Sequence, residues 1–483
     1  MLTAILIALP FLAGLLIITT GGEQSKRIAL GAALAELVVA GIMLAQFQIN
    51  AESQFVLNYP WIPSLGINFH LAVDGISMLM ILLTTVLTPL IIYSSFGHNY
   101  SKPQNFYGLI LLMQMALIGV FTALDGFLFY IFWELALIPI YFICLLWGGE
   151  NRAKITFKFF LYTMVGSLFM LVALIYLFQQ TTGTHSFDIN ALYAAGQALD
   201  INTQRTVFWG LFLAFAIKMP IFPLHTWQPD TYVVAPTQGT MLLSGIMLKM
   251  GIYGAIRWLL PMVPEGVAAY SHLVMMLAII GIIYASLIAW VQTDIKRLIA
   301  YSSIAHVGLI AAGVFSLNEQ GISGAVFQML SHGINVFALF FIVDMIEQRT
   351  KTRLMGNLGG VRTKAPKFAT FFMVIMMGSV ALPLTNGFPG EFLLLNGVYQ
   401  ASGMYAFFAG ITIILGAVYM LNAYQKSMLG EVSAATENFE EPKAHETHIL
   451  WICAILVIVM GVYPKPLFSI AEPAIQQLLT MVK

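Results

Sequence analysis

The chain has 483 residues, 59% of them hydrophobic and only 9% charged, and its mean hydropathy is +0.85. Soluble domains carry about 25% charged residues, so a water-soluble globular protein is excluded. The 22 basic and 22 acidic residues cancel, and no basic cluster stands apart from the connecting loops, which leaves no surface for a nucleic acid.

The apolar residues gather in about fourteen runs of roughly 20 residues, each long enough to cross a bilayer as a helix. In chain order they lie near 2–20, 28–47, 72–96, 106–123, 126–147, 157–179, 207–227, 233–258, 270–291, 296–316, 322–346, 368–400, 403–428 and 448–463. They are too long and too evenly apolar for the strands of a β-barrel. The first, MLTAILIALPFLAGLLIITTGG, lacks the basic start of a signal peptide and reads as a retained helix. The polar stretches 48–70, 181–205, 347–367 and 429–447 hold no soluble domain. The expectation is one all-α polytopic membrane domain over 1–483.

Lysine and arginine set the orientation. Loops after odd-numbered helices carry Lys26, Arg27, Lys102, Arg152, Lys154, Lys296, Arg297, Arg349, Lys351, Arg353, Arg362, Lys364, Lys367, Lys426 and Lys443, whereas Arg205 is the main exception on the other side. This places the odd loops in the cytoplasm and both termini outside.

Two helices are interrupted. The seventh breaks at MPIFP (219–223), with Pro220 and Pro223, and the twelfth at LPLTNGFPG (382–390), with Pro383 and Pro389. Proline removes a backbone donor and breaks the helical ladder. An odd number of helices separates the breaks, so the two interrupted helices run in opposite directions. Matching interruptions in oppositely oriented halves indicate inverted repeats with a site at the breaks. Helices 4–8 (106–258) therefore pair with helices 9–13 (270–428).

Titratable residues fall inside the apolar runs: Glu134, Lys218, Lys249, His306, His332 and Glu391. Each has a structural alternative. His306 could bond Ser302 or Ser303 one turn back, Glu134 and Lys218 could neutralise each other, and His332 could bridge helices through Gln328. Lys249 and Glu391 have no local partner. A lysine at the centre of a membrane helix costs about 2.5–3.5 kcal/mol on insertion scales, and intramembrane charge by default marks a proton or ion path. Lys218 ends the first half of helix seven and Glu391 begins the second half of helix twelve, so each complements its half-helix dipole. The break supplies a polar pocket in which Lys218 can change its protonation.

Redox chemistry within the chain is disfavoured. Its two cysteines, Cys144 and Cys453, form no ligand-spaced set for an iron–sulfur cluster, and there is no dinucleotide or phosphate-binding glycine loop. The histidines have serine, glutamine and lysine neighbours, a poor setting for haem.

The stretches HLAVDGIS (70–77), LTTVLTPL (83–90), FYIFWELALIP (129–139), FAIKMPIFPLHTW (215–227), APTQG (235–239), QTDIKRLIAYSSIAHVG (292–308), GFPGEF (387–392) and GVYPKP (461–466) resemble the antiporter-like chains of respiratory complex I, most closely those of the M type. The resemblance covers nearly the whole chain. It implies fourteen helices in two inverted five-helix repeats. It also implies a proton path through Glu134 and Lys218 as a charge-coupled pair, Lys249 as central relay, His306 and His332 as link, and Glu391 at the exit side, with Asp125 as a possible accessory at a solvated helix end. Tyr232 stands where the family often has histidine, and no role is read from it. The chain stops soon after its last span, without the long lateral helix of L-type chains.

The function implied is a non-redox, proton-translocating subunit of NADH-quinone oxidoreductase in a bacterial inner membrane. Sister antiporter-like chains would flank it, the L-type lateral helix would lie alongside, and FMN, iron–sulfur clusters, NADH and quinone would be held elsewhere in the complex. The alternative is a subunit of a multisubunit sodium/proton antiporter.

Overall fold

A computed structural model describes residues 1–22 and 24–482. Two outer helices, α1 (Leu2–Thr20) and α2 (Ser25–Gln46), lead into an antiparallel hairpin of β1 (Gln54–Ile62) and β2 (Ile67–Val73). Then come α3 (Gly75–Ser94), α4 (Pro103–Thr122), α5 (Gly126–Leu135), α6 (Leu137–Trp147), α7 (Arg152–Gln180), a short α8 (Ile189–Gln197) and α9 (Ile201–Lys218). After the break, α10 (Gln228–Val234) precedes one span made of α11 (Thr237–Leu242), α12 (Leu248–Gly254) and α13 (Leu260–Met262), joined by π turns at Leu243–Met247 and Ala255–Leu259. The second half holds α14 (Pro264–Val291), α15 (Ile295–Val314), α16 (Glu319–Thr350), the single-turn α17 (Val361–Lys364), α18 (Pro366–Ser379), α19 (Gly387–Ala401), α20 (Gly403–Met428), α21 (Ala444–Val462) and α22 (Lys465–Val482).

Twelve spans among the described residues are long and apolar enough to cross a membrane. The expected count of about fourteen adds the two interrupted segments, α9–α10 and α18–α19. The hairpin is the one sheet among the described residues, in a stretch where Pro60 and Pro63 interrupt a continuous α-helix. Gly66 turns it with a left-handed φ of 61°.

Layering follows from composition. α1 buries only Thr3, Leu6, Pro10, Gly14 and Ile17, one stripe at helical spacing, and turns large apolar side chains outward. Gly14 and Gly108 let α1 and α4 approach closely, since a Cβ on Gly108 would lie 3.0 Å from the Gly14 carbonyl oxygen. Small residues at contacts are the usual device where lipid removes the hydrophobic drive. By contrast, α3, α4, α15, α16 and the α11–α13 span are almost wholly buried. They form an inner group shielded from lipid, where polar side chains find partners.

The seventh span ends at Lys218, and its freed carbonyls are taken by the Trp227 indole (Nε1 to Ile217 O, 3.0 Å) and by Ile221 N (to Ala216 O, 3.0 Å). The second break runs from 380 to 386. Thr385 Oγ1 donates to Leu382 O at 2.6 Å, Asn386 N to Val457 O at 2.8 Å, and Ser331 Oγ to Asn386 O at 2.7 Å. Pro220, Pro223 and Pro383 lie in the breaks, but Pro389 does not. It is the third residue of α19, where its missing N–H would have had no intrahelical acceptor anyway. A further interruption between α5 and α6 was not expected. Pro139 accounts for it, because its ring crowds the carbonyl four residues back, at Leu135.

The terminal α22 is amphipathic, burying Ile470, Ala471, Ala474, Ile475, Leu478 and Leu479. It seats over the start of α3, where a Cβ on Gly75 would fall 1.9 Å from the Ile470 carbonyl oxygen. Gly75→Ala should therefore displace α22 at a cost of about 1–3 kcal/mol, typical of overpacking. Faster proteolysis within 463–482 and a lower melting temperature in detergent are the expected results. Unchanged protection would show that α22 does not depend on this seat.

Candidate proton-path site

The π turn at Leu243–Met247 widens the helix one turn before Lys249. Lys249 reaches back so that its Nζ donates to Ser244 O at 2.6 Å, and the same Nζ lies 2.8 Å from Nδ1 of His332 on α16. Both side chains are buried. The His332 ring stands 6.1 Å, centroid to centroid, from the His306 ring on α15. His306 Nδ1 in turn lies 2.9 Å from Glu391 Oε1 on α19, and Gln328 Nε2 donates to that oxygen at 3.3 Å. Four of the six expected residues thus form one contiguous file, Lys249–His332–His306–Glu391, carried on four different elements.

These partners differ from the local ones the sequence offered. Ser302 bonds Tyr419 (3.0 Å) instead of His306, and Gln328 serves Glu391 instead of His332. Gln328 and His332 are one turn apart, so both point from one face of α16 into the file. Glu391 is the fifth residue of α19, beyond the first-turn N–H groups, and its stabilisation comes from His306 and Gln328 more than from the helix end.

Lys218 and Glu134 lie apart from this file. Lys218 is the last residue of α9, as its dipole argument requires. Its Nζ has no protein hydrogen-bond partner and sits 5.5 Å from the centroid of the Trp133 ring. Glu134 is the next residue along but is partly exposed, and no direct ion pair joins it to Lys218. The Trp133 indole stands beside Lys218, and Glu134 follows Trp133 on α5. Gly251, two residues beyond Lys249, brings the break against α12: a Cβ there would lie 2.8 Å from Met219 N and 3.0 Å from Lys218 Cβ.

Asp125 is a helix-end acid but not a solvated one. It is fully buried, caps α5 through Phe127 N (3.0 Å) and Leu128 N (3.1 Å), and accepts from Asn68 N at 2.9 Å. The hairpin covers it, and three backbone donors occupy its oxygens. It pins β2 to α5, away from the file. Tyr232 is buried with its hydroxyl unpartnered by protein.

Buried charges that sequence reading passed over include Arg257, paired with Asp74. Tyr253, between Lys249 and Arg257 on the same span, links to Ser77 Oγ and Phe121 O, each at 3.0 Å. Glu36 is buried on α2 with both carboxyl oxygens unpartnered by protein, and Asp344 near the end of α16 is paired with His98. All of these except His98 lie inside the marked apolar runs, where a charge is as conspicuous as Lys249. No cluster of three His, Cys, Asp or Glu suited to a metal occurs among the described residues.

Residues 123–418 match the family described as NADH:quinone oxidoreductase/Mrp antiporter, TM, and residues 29–123 match NADH-ubiquinone oxidoreductase chain 4, amino terminus. The chain is 41% identical over 484 residues to NADH-quinone oxidoreductase subunit M of Rickettsia prowazekii (strain Madrid E), covering 99% of this chain and 98% of that one. It is 39% identical over 466 residues to subunit M of Rhodobacter capsulatus, covering 94% and 90%. Among solved structures it is similar to a chain of respiratory complex I from Thermus thermophilus with bound NADH, with a TM-score of 0.93 at 29% identity over 100% of both chains. A chain of the Mrp complex from Dietzia sp. DQ12-45-1b has the same fold, with a TM-score of 0.87 at 20% identity over 100% of this chain and 98% of that one. The chain belongs to the family of antiporter-like membrane subunits of NADH-quinone oxidoreductase, in its subunit M branch.

Proposed function

We propose that this chain moves protons across the membrane through the file Lys249–His332–His306–Glu391, with Lys218 and Glu134 setting the charge state at one end. The observation that carries this reading is the succession of titratable side chains on α12, α16, α15 and α19, with direct contacts at Lys249–His332 and His306–Glu391 and the two imidazole rings 6.1 Å apart. A charged Lys249 can pass a proton to His332 Nδ1. Imidazole relays protons because it takes one at one nitrogen and releases one from the other. Nε2 of His332 and Nε2 of His306 both lack protein partners, so a water-mediated step links the rings. From His306 Nδ1 the next acceptor is Glu391. The file contains no redox group, so the driving energy comes from quinone reduction elsewhere in the complex. FMN, iron–sulfur clusters, NADH and quinone would sit in other subunits, and sister antiporter-like chains would cover the lipid-depth flanks. The loop charges favour both termini outside, the bacterial relatives favour an inner-membrane location, and the two helix breaks favour inverted repeats at 106–258 and 270–428. The antiporter reading shares the fold and the 123–418 family match, whereas the 29–123 match and the relatives at 39–41% identity favour the oxidoreductase.

Lys249 separates relay from scaffold. Arginine keeps the charge but does not release its proton. Lys249→Arg should therefore lose NADH-driven proton translocation about as fully as Lys249→Ala, with the complex still assembled on native gels. An arginine variant that acidifies vesicles at the wild-type rate would remove the relay role.

Glu134 makes no direct ion pair, so Glu134→Ala should assemble normally while translocation falls strongly, and Glu134→Asp should fall less. Loss of assembly with normal pumping in the residual complex would assign it a structural role instead.

A further inference from the structure

A cavity of about 410 Å³ opens between the loop after α3, the end of α10 and the last turns of α16. His98, Lys296, Asp344, Glu347 and Arg353 line it. The loops that form it all follow odd-numbered spans, the side rich in lysine and arginine. Lys296 and Arg353 are occupied structurally. Lys296 Nζ donates to Ala235 O at 2.9 Å, and Arg353 Nε lies 3.1 Å from Asp294 Oδ2.

The remaining groups make a different arrangement. His98 Nε2 lies 2.8 Å from Asp344 Oδ2, and Gln348 Nε2 is 2.7 Å from both. The His98 ring stacks on Tyr100, with centroids 5.4 Å apart and planes 11° from parallel. Tyr100 donates its hydroxyl to Gln238 Oε1, and Gln238 Nε2 donates to Ser94 Oγ at 3.4 Å. Gln238 and Ser94 are buried at the ends of α11 and α3. The same two helices and the π turn after α11 also hold the buried hydroxyls of Thr84, Thr85, Thr88, Thr240 and Ser244, each donating to a backbone carbonyl, and the Ser244 carbonyl in turn holds Lys249. The surface cavity is thus joined through Tyr100 and Gln238 to the start of the span that carries Lys249.

We propose that this cavity is where the protein takes up protons for the file, with the His98–Asp344 pair as first acceptor and Tyr100, Gln238 and Ser94 as the polar connection toward Lys249. The assignment rests on the proton-translocation reading above. His98 faces Asp344, Glu347 and Gln348 of α16, Glu446 and His445 of α21, and Lys26 and Arg27 at the start of α2. Burial opposes its charged form. The hydrogen bond and charge of Asp344, with Glu347 and Glu446 behind it, outweigh that and raise its pKa above the ordinary histidine value. The acceptor therefore stays loaded as pH rises past the point where a free histidine empties.

The test uses the assembled complex in proteoliposomes, with wild type, Asp344→Asn, His98→Asn and Lys249→Ala compared for NADH-driven proton translocation and quinone reduction from neutral to alkaline pH. Asp344→Asn should lose translocation severalfold. His98→Asn should move the alkaline limb of turnover to lower pH, because the acceptor then empties sooner. A purely structural role for the histidine would scale turnover by one factor at every pH. Wild-type translocation in Asp344→Asn, or an unshifted limb in His98→Asn, overturns the uptake site. If Asp344→Asn fails to assemble, the His98→Asn limb decides alone. Loss of translocation in Lys249→Ala alongside an unshifted limb leaves the file standing and removes only its mouth. Normal translocation in Lys249→Ala removes the file itself.

Discussion

Hydrocarbon offers no hydrogen bonds, and this constraint orders the whole molecule. Any charge or free backbone group at membrane depth must find its partner inside the protein. The chain answers with two shells. α1, α2, α7, α20 and α21 face outward and carry bulky apolar side chains, while α3, α15, α16 and the α11–α13 span lie inside. Lys249, His306 and His332 all sit on inner helices. The apolar outer wall is what makes the inner file affordable, because it moves the lipid boundary away from Lys249, His306 and His332.

The helix breaks serve the same constraint at closer range. A broken helix exposes carbonyls and amides that would be intolerable against lipid. Here Trp227, Thr385, Ser331 and the backbone of Val457 take them up. Lys218 ends the helix before the first break, and Glu391 lies one turn into the helix after the second. The break at Lys218 packs against α12 at Gly251, two residues beyond Lys249, so the two lysines belong to one structural unit although only one joins the file.

The spans, the breaks and the titratable residues were legible because each is a property of a residue type in a run: apolarity, proline, charge. Contacts were not. Glu134 and Lys218 are both present, yet the indole of Trp133 stands by the lysine and no direct pair forms, which depends on how α5 and α9 are rotated. Asp125 reads as a solvated cap until the hairpin is seen to cover it. The hairpin and α22 escaped notice because their mean apolarity is modest. The burial of α22 at 470, 471, 474, 475, 478 and 479 has helical period and was visible to a search for amphipathic rather than uniform runs. Arg257 and Asp344 lie within two residues of the ends of the runs 233–258 and 322–346, where a charge reads as reaching the membrane surface.

The seven residues of α12 are bounded by π turns on both sides, Leu243–Met247 before and Ala255–Leu259 after. Each π turn holds one residue more than a helical turn needs, and one residue corresponds to roughly 100° of rotation about the helix axis. Together the two turns set the direction in which the residues between them face, and on that stretch Gly251 fits against Met219 and Lys218. Lys249 is on the same stretch, its ammonium held by Ser244 on one side and His332 on the other. Removing either extra residue would turn Lys249 by roughly 100° relative to one end of the span.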